Sequence, residues 1–138
     1  MRGVKIGPDA TELRAMLQAD QASAALGMVL ERDEPGLAVV SMTVREDMTN
    51  GFAITHGGLV FTLADTAFAV ACNEDDRVTV AQGADVSFLK STGVGDVLTA
   101  TAQRRVLRGR NGVYDITVTD QVGDVVAEVR GRAFVTGR

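Results

Sequence analysis

The chain has 138 residues, 46% apolar and 23% charged, and this length and balance describe one globular domain over 1–138, excluding a disordered, collagenous or coiled-coil chain. Fourteen basic against eighteen acidic residues give a net charge of −4, so no general affinity for nucleic acid or an anionic membrane is expected. A single cysteine, Cys72, excludes an internal disulfide, and with a single histidine, His56, there is no cluster of the kind zinc requires, so neither metal nor cofactor is expected.

Met1 to Pro8 lack the continuous apolar stretch of a signal peptide, and no segment approaches the roughly 20 apolar residues of a membrane span, so a cytoplasmic location is expected. Asp9 followed by Glu12 has the spacing of a capping box, and Leu13, Met16 and Leu17 then recur at helical period. This predicts an amphipathic N-terminal helix within residues 1–25. After Gly27, Met28-Val29-Leu30 leads to the turn Asp33-Glu34-Pro35-Gly36 and a β-branched run from Leu37 to Val44, which reads as two antiparallel strands.

A central helix over 57–73 follows. Leu59, Val60, Phe61, Leu63, Ala64, Ala67, Phe68, Ala69, Val70 and Ala71 leave it no polar face, so it is expected to be buried all round. At roughly 24 Å it is too short to cross a membrane and must be covered by this chain or a partner. From Val78 the period is two, with Ala84, Val86 and Phe88 alternating with Asp85 and Ser87. Strands are predicted near 78–90, 97–107, 113–121 and 125–135, without the helices that parallel neighbours need. The fold class is α+β: a curved antiparallel sheet of five to six strands wrapped around one long apolar helix, with the N-terminal helix at its edge.

Chemistry has few places to sit. Asp65 is the only carboxylate between His56 and Glu74, and in an apolar helix it either reaches the surface or is paired or used. Upstream, Asn50-Gly51 and His56-Gly57-Gly58 form a polar, glycine-bearing loop into the helix. Free N–H groups and a partial positive charge collect at a helix N-terminus, although glycines there also serve plain turns. Together, an N–H aimed at a carbonyl oxygen and a carboxylate within reach suit acyl transfer to water. Gly57 and Asp65 lie eight residues apart on one helix, about 12 Å along its axis, so two chains side by side would be needed. Arg104, Arg105, Arg108 and Arg110 read as a phosphate site, joined by Lys90, or as a solvated hairpin tip.

The run from His56-Gly57-Gly58-Leu59-Val60-Phe61 through Ala64-Asp65-Thr66 to Cys72-Asn73 closely resembles the signature helix of the hotdog-fold acyl-CoA thioesterases, in particular their phenylacetate-pathway (PaaI-type) branch. Phe88-Leu89-Lys90, Gly95-Asp96 and Gly112-Val113-Tyr114-Asp115 extend the resemblance over roughly residues 22–136.

The resemblance implies a hotdog fold and hydrolysis of acyl-CoA thioesters, with phenylacetyl-CoA or its ring-hydroxylated forms as leading substrates in phenylacetic acid degradation. Gly57 would polarise the thioester carbonyl, Asn50 would assist it or orient water, His56 would fix the loop, and Asp65 of an opposing subunit would be general base or nucleophile. Gly58, Phe61, Thr66, Gln82, Gly83, Lys90, Arg104, Arg108, Arg110 and Asn111 would contact substrate. Where related branches carry a serine after the helix, this chain reads Val80-Ala81-Gln82-Gly83, which leaves the role of Gln82 open. Cys72 reads as a small core residue rather than a nucleophile. The implied assembly is a homodimer paired into a homotetramer. A non-catalytic acyl-CoA binding module of the same fold is the alternative, and a dehydratase would want its own His/Asp or His/Glu pair.

Overall fold

The period-two half of the chain forms strands close to where its alternation places them. The computed structural model describes residues 3–75 and 77–137. Its strands are β1 (Lys5–Ile6), β2 (Val29–Glu34), β3 (Leu37–Thr43), β4 (Thr79–Phe88), β5 (Val97–Arg108), β6 (Asn111–Thr119) and β7 (Val125–Val135). Among the described residues these seven make one sheet in the order β1-β2-β3-β5-β6-β7-β4. Six are the expected ones, and each of their pairings is antiparallel. The expected count of five to six misses β1, which lies parallel to β2 with Lys5 opposite Val29. Two residues are too few to show a period.

Hairpins join β2 to β3, β5 to β6 and β6 to β7, and each of their three loops carries a glycine at positive φ, Gly36 at 70°, Gly109 at 60° and Gly123 at 90°. Between β3 and β4 the chain instead runs through α3 (Gly57–Cys72), which carries it across the sheet to the far edge beside β7. Leu63, Ala64, Ala67, Phe68, Val70 and Ala71 of α3 are buried in one cluster with Val40, Leu98, Ala100, Ala102, Ile116 and Val118 of the sheet. The alanines at alternate positions of β5 leave room for the helix. The sheet covers only one side of α3, however. Gly58 and Asp65 are exposed and Thr62 and Ala69 half-buried, a stripe at helical spacing. The helix is therefore not buried all round within one chain. No helix of the described residues is long and apolar enough to cross a membrane.

The N-terminal helix expected within 1–25 is also corrected. Residues 1 and 2 lie outside the described residues, and the rest of the segment holds two short helices, α1 (Ala15–Gln18) and α2 (Gln21–Ala25). The Asp9–Glu12 capping box does not form, since residues 10–14 are not helical. Asp20 interrupts the periodic run because its carboxylate accepts the Ser23 N–H at 2.9 Å, making it the N-cap of α2. Before α1, the Arg14 guanidinium bonds the Asp33 carboxylate at 2.7 Å. It also donates to the Val70 carbonyl at 2.7 Å and to the carbonyl of Asn73. Arg14 thereby supplies a cation to the C-terminal end of α3, where orphan carbonyls and the helix dipole favour one.

Candidate active site

The loop entering α3 is held from several sides. Thr49 bridges to Thr55, the Thr55 N–H donates to the Thr92 carbonyl at 2.8 Å, and the His56 N–H donates to the Met48 carbonyl at 2.8 Å. Asn50 closes the loop from within: its Oδ1 accepts from the Phe52 N–H at 2.9 Å and from the Ile54 N–H at 3.4 Å. Ala53 takes φ of 61° there, a conformation few non-glycine residues adopt. With Oδ1 engaged, the free polar end of the Asn50 amide is its Nδ2 donor.

His56 is the N-cap of α3. Its Nδ1 accepts the Gly58 N–H at 3.1 Å, which requires the Nε2–H tautomer. The Leu59 and Val60 N–H groups donate to the His56 carbonyl at 2.9 and 3.2 Å. Of the four N–H groups that a helix leaves open at its first turn, Gly57 alone makes no hydrogen bond among the described residues. Gly57 lines a cavity of about 320 Å³ with Asn50, Thr55, Val60, Phe88 and Lys90. The Phe88 ring lies across Gly57, where an added Cβ would sit 3.4 Å from Cζ. The site thus pairs an unengaged backbone donor at the positive end of a helix with a side-chain amide donor, beside an aromatic wall.

Asp65 faces neither this cavity nor the shallow depression that His56 and Gly58 share with Leu59. Its side chain is open to water on one side, while its apolar neighbours still desolvate it. Burial, and second the charge of Asp20, push its carboxyl above the ordinary value. Burial pushes the Cys72 thiol up to about 11, which keeps it protonated and unreactive.

A family profile described as "Thioesterase superfamily" matches residues 52–127, the span from the site loop into the start of β7. The chain belongs to the thioesterase superfamily. It is similar to the acyl-coenzyme A thioesterase PaaI of Escherichia coli K12, with 44% identity over 123 residues, covering 89% of this chain and 88% of that one. The solved structure of the E. coli PaaI protein from the phenylacetic acid degradation operon superposes with a TM-score of 0.87 over 89% of each chain, at 44% identity. A Streptococcus mutans UA159 protein bound to acetyl-CoA superposes at TM-score 0.77 with 28% identity, covering 80% of this chain and 90% of that one. The hotdog fold and the PaaI-type resemblance of the signature helix are borne out, and the protein is a thioester hydrolase.

The remaining residues singled out in the thioesterase sequence do not form one patch. Arg104 pairs with Glu74 and Arg105 with Asp115, because adjacent residues of a strand face opposite sides. Arg108 and Arg110 are exposed at the β5–β6 hairpin with no carboxylate partner among the described residues. Lys90 is separate from them. It pairs with Asp120 at 2.5 Å and Asp124 at 2.8 Å, next to the end of β4 that pairs with Ala127, whereas Asn111 pairs with Phe134 at the other end of β7. Seven residues of strand put about 23 Å between those ends. Gln82 occupies a bulge between Ala81 and Gly83, and its Nε2 donates to Asn111 Oδ1 at 3.2 Å. The Arg132 guanidinium packs over Gly83. Phe61 is half-buried in α3, and the Thr66 hydroxyl is bonded to Ser23 at 2.8 Å. Thr55, Val60 and Phe88 are lining residues that sequence reasoning left out of the site; for Phe88 the signal was an apolar side chain at the end of a strand just before Lys90. No group of three or more His, Cys, Asp or Glu among the described residues could hold a metal ion.

Proposed function

We propose that this thioesterase hydrolyses acyl-CoA thioesters of small aromatic acids, with phenylacetyl-CoA or its ring-hydroxylated forms as leading substrates. The observation that carries the reading is the unengaged Gly57 N–H in a cavity shared with Asn50. Both groups donate to the thioester oxygen and strengthen that interaction as negative charge develops on it. Asp65 of a partner subunit activates water as general base, or attacks the carbonyl carbon itself. The His56 ring holds the Gly58 N–H, leaving that of Gly57 as the donor for substrate. Phe88 and Val60 supply an apolar wall for the acyl group, and Arg108 and Arg110 are the cations available to nucleotide phosphates. The E. coli relative's name and the acetyl-CoA bound to the S. mutans protein support the CoA thioester as substrate class. The reaction uses no cofactor beyond the coenzyme A of the substrate, and the enzyme works in the cytoplasm.

The assembly that this requires is a homodimer, itself paired into a homotetramer. β4 is an edge strand with Val80 at 44%, Val86 at 38% and Phe88 at 54% exposure, and long apolar edges are normally covered. The uncovered stripe of α3 that carries Asp65 asks for the same cover. The test is release of free thiol from a panel of acyl-CoAs by wild type and Asp65→Asn. Wild type should turn over aryl-acetyl thioesters fastest, and Asp65→Asn should lose at least about 10²-fold in kcat while still binding. Binding without turnover by wild type across the panel would favour a non-catalytic acyl-CoA binding module.

A further inference from the structure

α2 meets α3 through a pair of buried hydroxyls that the proposed reaction does not use. Ser23 is 1% and Thr66 7% exposed, and their oxygens lie 2.8 Å apart. The Ser23 hydroxyl also donates to Asp20 Oδ2 at 2.7 Å. A serine hydroxyl has a single proton, so the Thr66–Ser23 bond must be donated by Thr66. The proton order is then fixed, from Thr66 to Ser23 to Asp20, and both Asp20 oxygens act as acceptors, Oδ1 for the Ser23 N–H at 2.9 Å. That arrangement calls for the ionised carboxylate and strengthens the hydrogen bonds that end on it.

We infer that this chain of hydroxyls holds the Asp20 carboxylate against the turn of α3 that carries Asp65, making Asp20 a positioning residue that tunes Asp65 as a base. The inference rests on the reading of Asp65 as the reacting carboxylate. Like charges held close disfavour the second ionisation, and Asp20 follows burial as the second cause that raises the Asp65 carboxyl. No cation among the described residues pairs with Asp65 to offset this. The other titratable groups near α3 are His56 at its N-terminus, Arg14 with its partner Asp33, Cys72 and Glu74 with its partner Arg104 at its C-terminal end, and Tyr114 of β6 beside Phe68. A base whose affinity for protons is raised toward the working pH is the more effective one.

The test is Asp20→Asn in the assembled full-length protein. Asparagine caps helices as well as aspartate does, so the substitution removes charge and keeps α2. Two readouts are taken: the acid limb of kcat/KM against pH, and the titration of the Asp65 carboxyl carbon by ¹³C NMR. Both should move to lower pH in the variant. If both stay where wild type has them, with the fold intact by circular dichroism, the inference is overturned. Asp20→Ser, a second neutral cap, serves if the asparagine variant does not fold. Full activity in Asp65→Asn would instead defeat the catalytic reading of Asp65, while the NMR titration would still report whether Asp20 acts on it.

Discussion

Gly131 of β7 lies against the ring of Phe68 of α3 so closely that a Cβ added at Gly131 would stand 2.7 Å from Cε2. Tyr114 is directly opposite Gly131 on β6, and its ring is 5.5 Å from that of Phe68. The missing side chain on the strand is what lets the helix lay an aromatic ring on the sheet. Phe68 is 3% exposed, and a buried ring has to shift to admit the methyl group, so Gly131→Ala should destabilise by about 1–3 kcal/mol through overpacking. Thermal denaturation would register this as a fall of several degrees. Gly51→Ala, where an added Cβ meets nothing within 4 Å, should shift stability by no more than about 0.5 kcal/mol.

The basic residues should separate into two behaviours. Arg108 and Arg110 have no carboxylate to leave behind, so changing both to alanine should raise KM for acyl-CoA with little change in kcat, the pattern of lost uniform binding. Thioesters truncated before the nucleotide should show no such effect, and an equal rise in their KM would assign the arginines another role. Lys90→Ala should act on stability first. The Lys90 ammonium bonded to Asp120 holds that carboxyl below its ordinary value of 3.8. The stability this pair contributes is therefore present above that value and lost as pH falls through the lower folded-state value. Melting temperatures of wild type and Lys90→Ala should differ at pH 7 and converge under strongly acidic conditions.

The parts legible from sequence were those decided within a short stretch of chain. The apolar run of α3, its entry at His56-Gly57-Gly58 and the alternation of β4 to β7 are local, and all formed. What was not legible depends on partners distant in sequence. Asp20 breaks the first helix because its carboxylate prefers the Ser23 N–H, and Ser23 is held in turn by Thr66, 43 residues away. The four arginines read as one patch until strand direction sent Arg104 to Glu74 and Arg105 to Asp115. Lys90 looked like their neighbour because antiparallel registry, which puts it at the other end of β7, leaves no trace in spacing. At the site, Asn50 and Gly57 were recognisable as residues. That Asn50 has its oxygen committed to the loop, and that Gly57 keeps the one open N–H of the turn, became visible only with the hydrogen bonds in place.

The separation of Gly57 from Asp65 along one helix makes the shared site testable by mixing subunits. Asp65→Asn lacks the carboxylate. Gly57→Val fills the space beside Phe88, since even a Cβ there would sit 3.4 Å from the ring, and a larger side chain blocks the cavity while leaving the rest of α3 unchanged. Each parent should be inactive alone, with each site missing one of its two contributions. In a mixed dimer, the Asp65→Asn subunit brings an intact Gly57 to the intact Asp65 of the Gly57→Val subunit, and one of the two sites is whole. Random exchange at equal amounts makes half the dimers mixed, so about a quarter of all sites should work. Activity should therefore climb from near zero toward about a quarter of the wild-type value as exchange proceeds, with the time course of exchange followed by native mass spectrometry. A mixture that stays as inactive as its parents after mixed dimers have formed would show that Asp65 does not serve the Gly57 of its partner, even if the protein hydrolyses acyl-CoA.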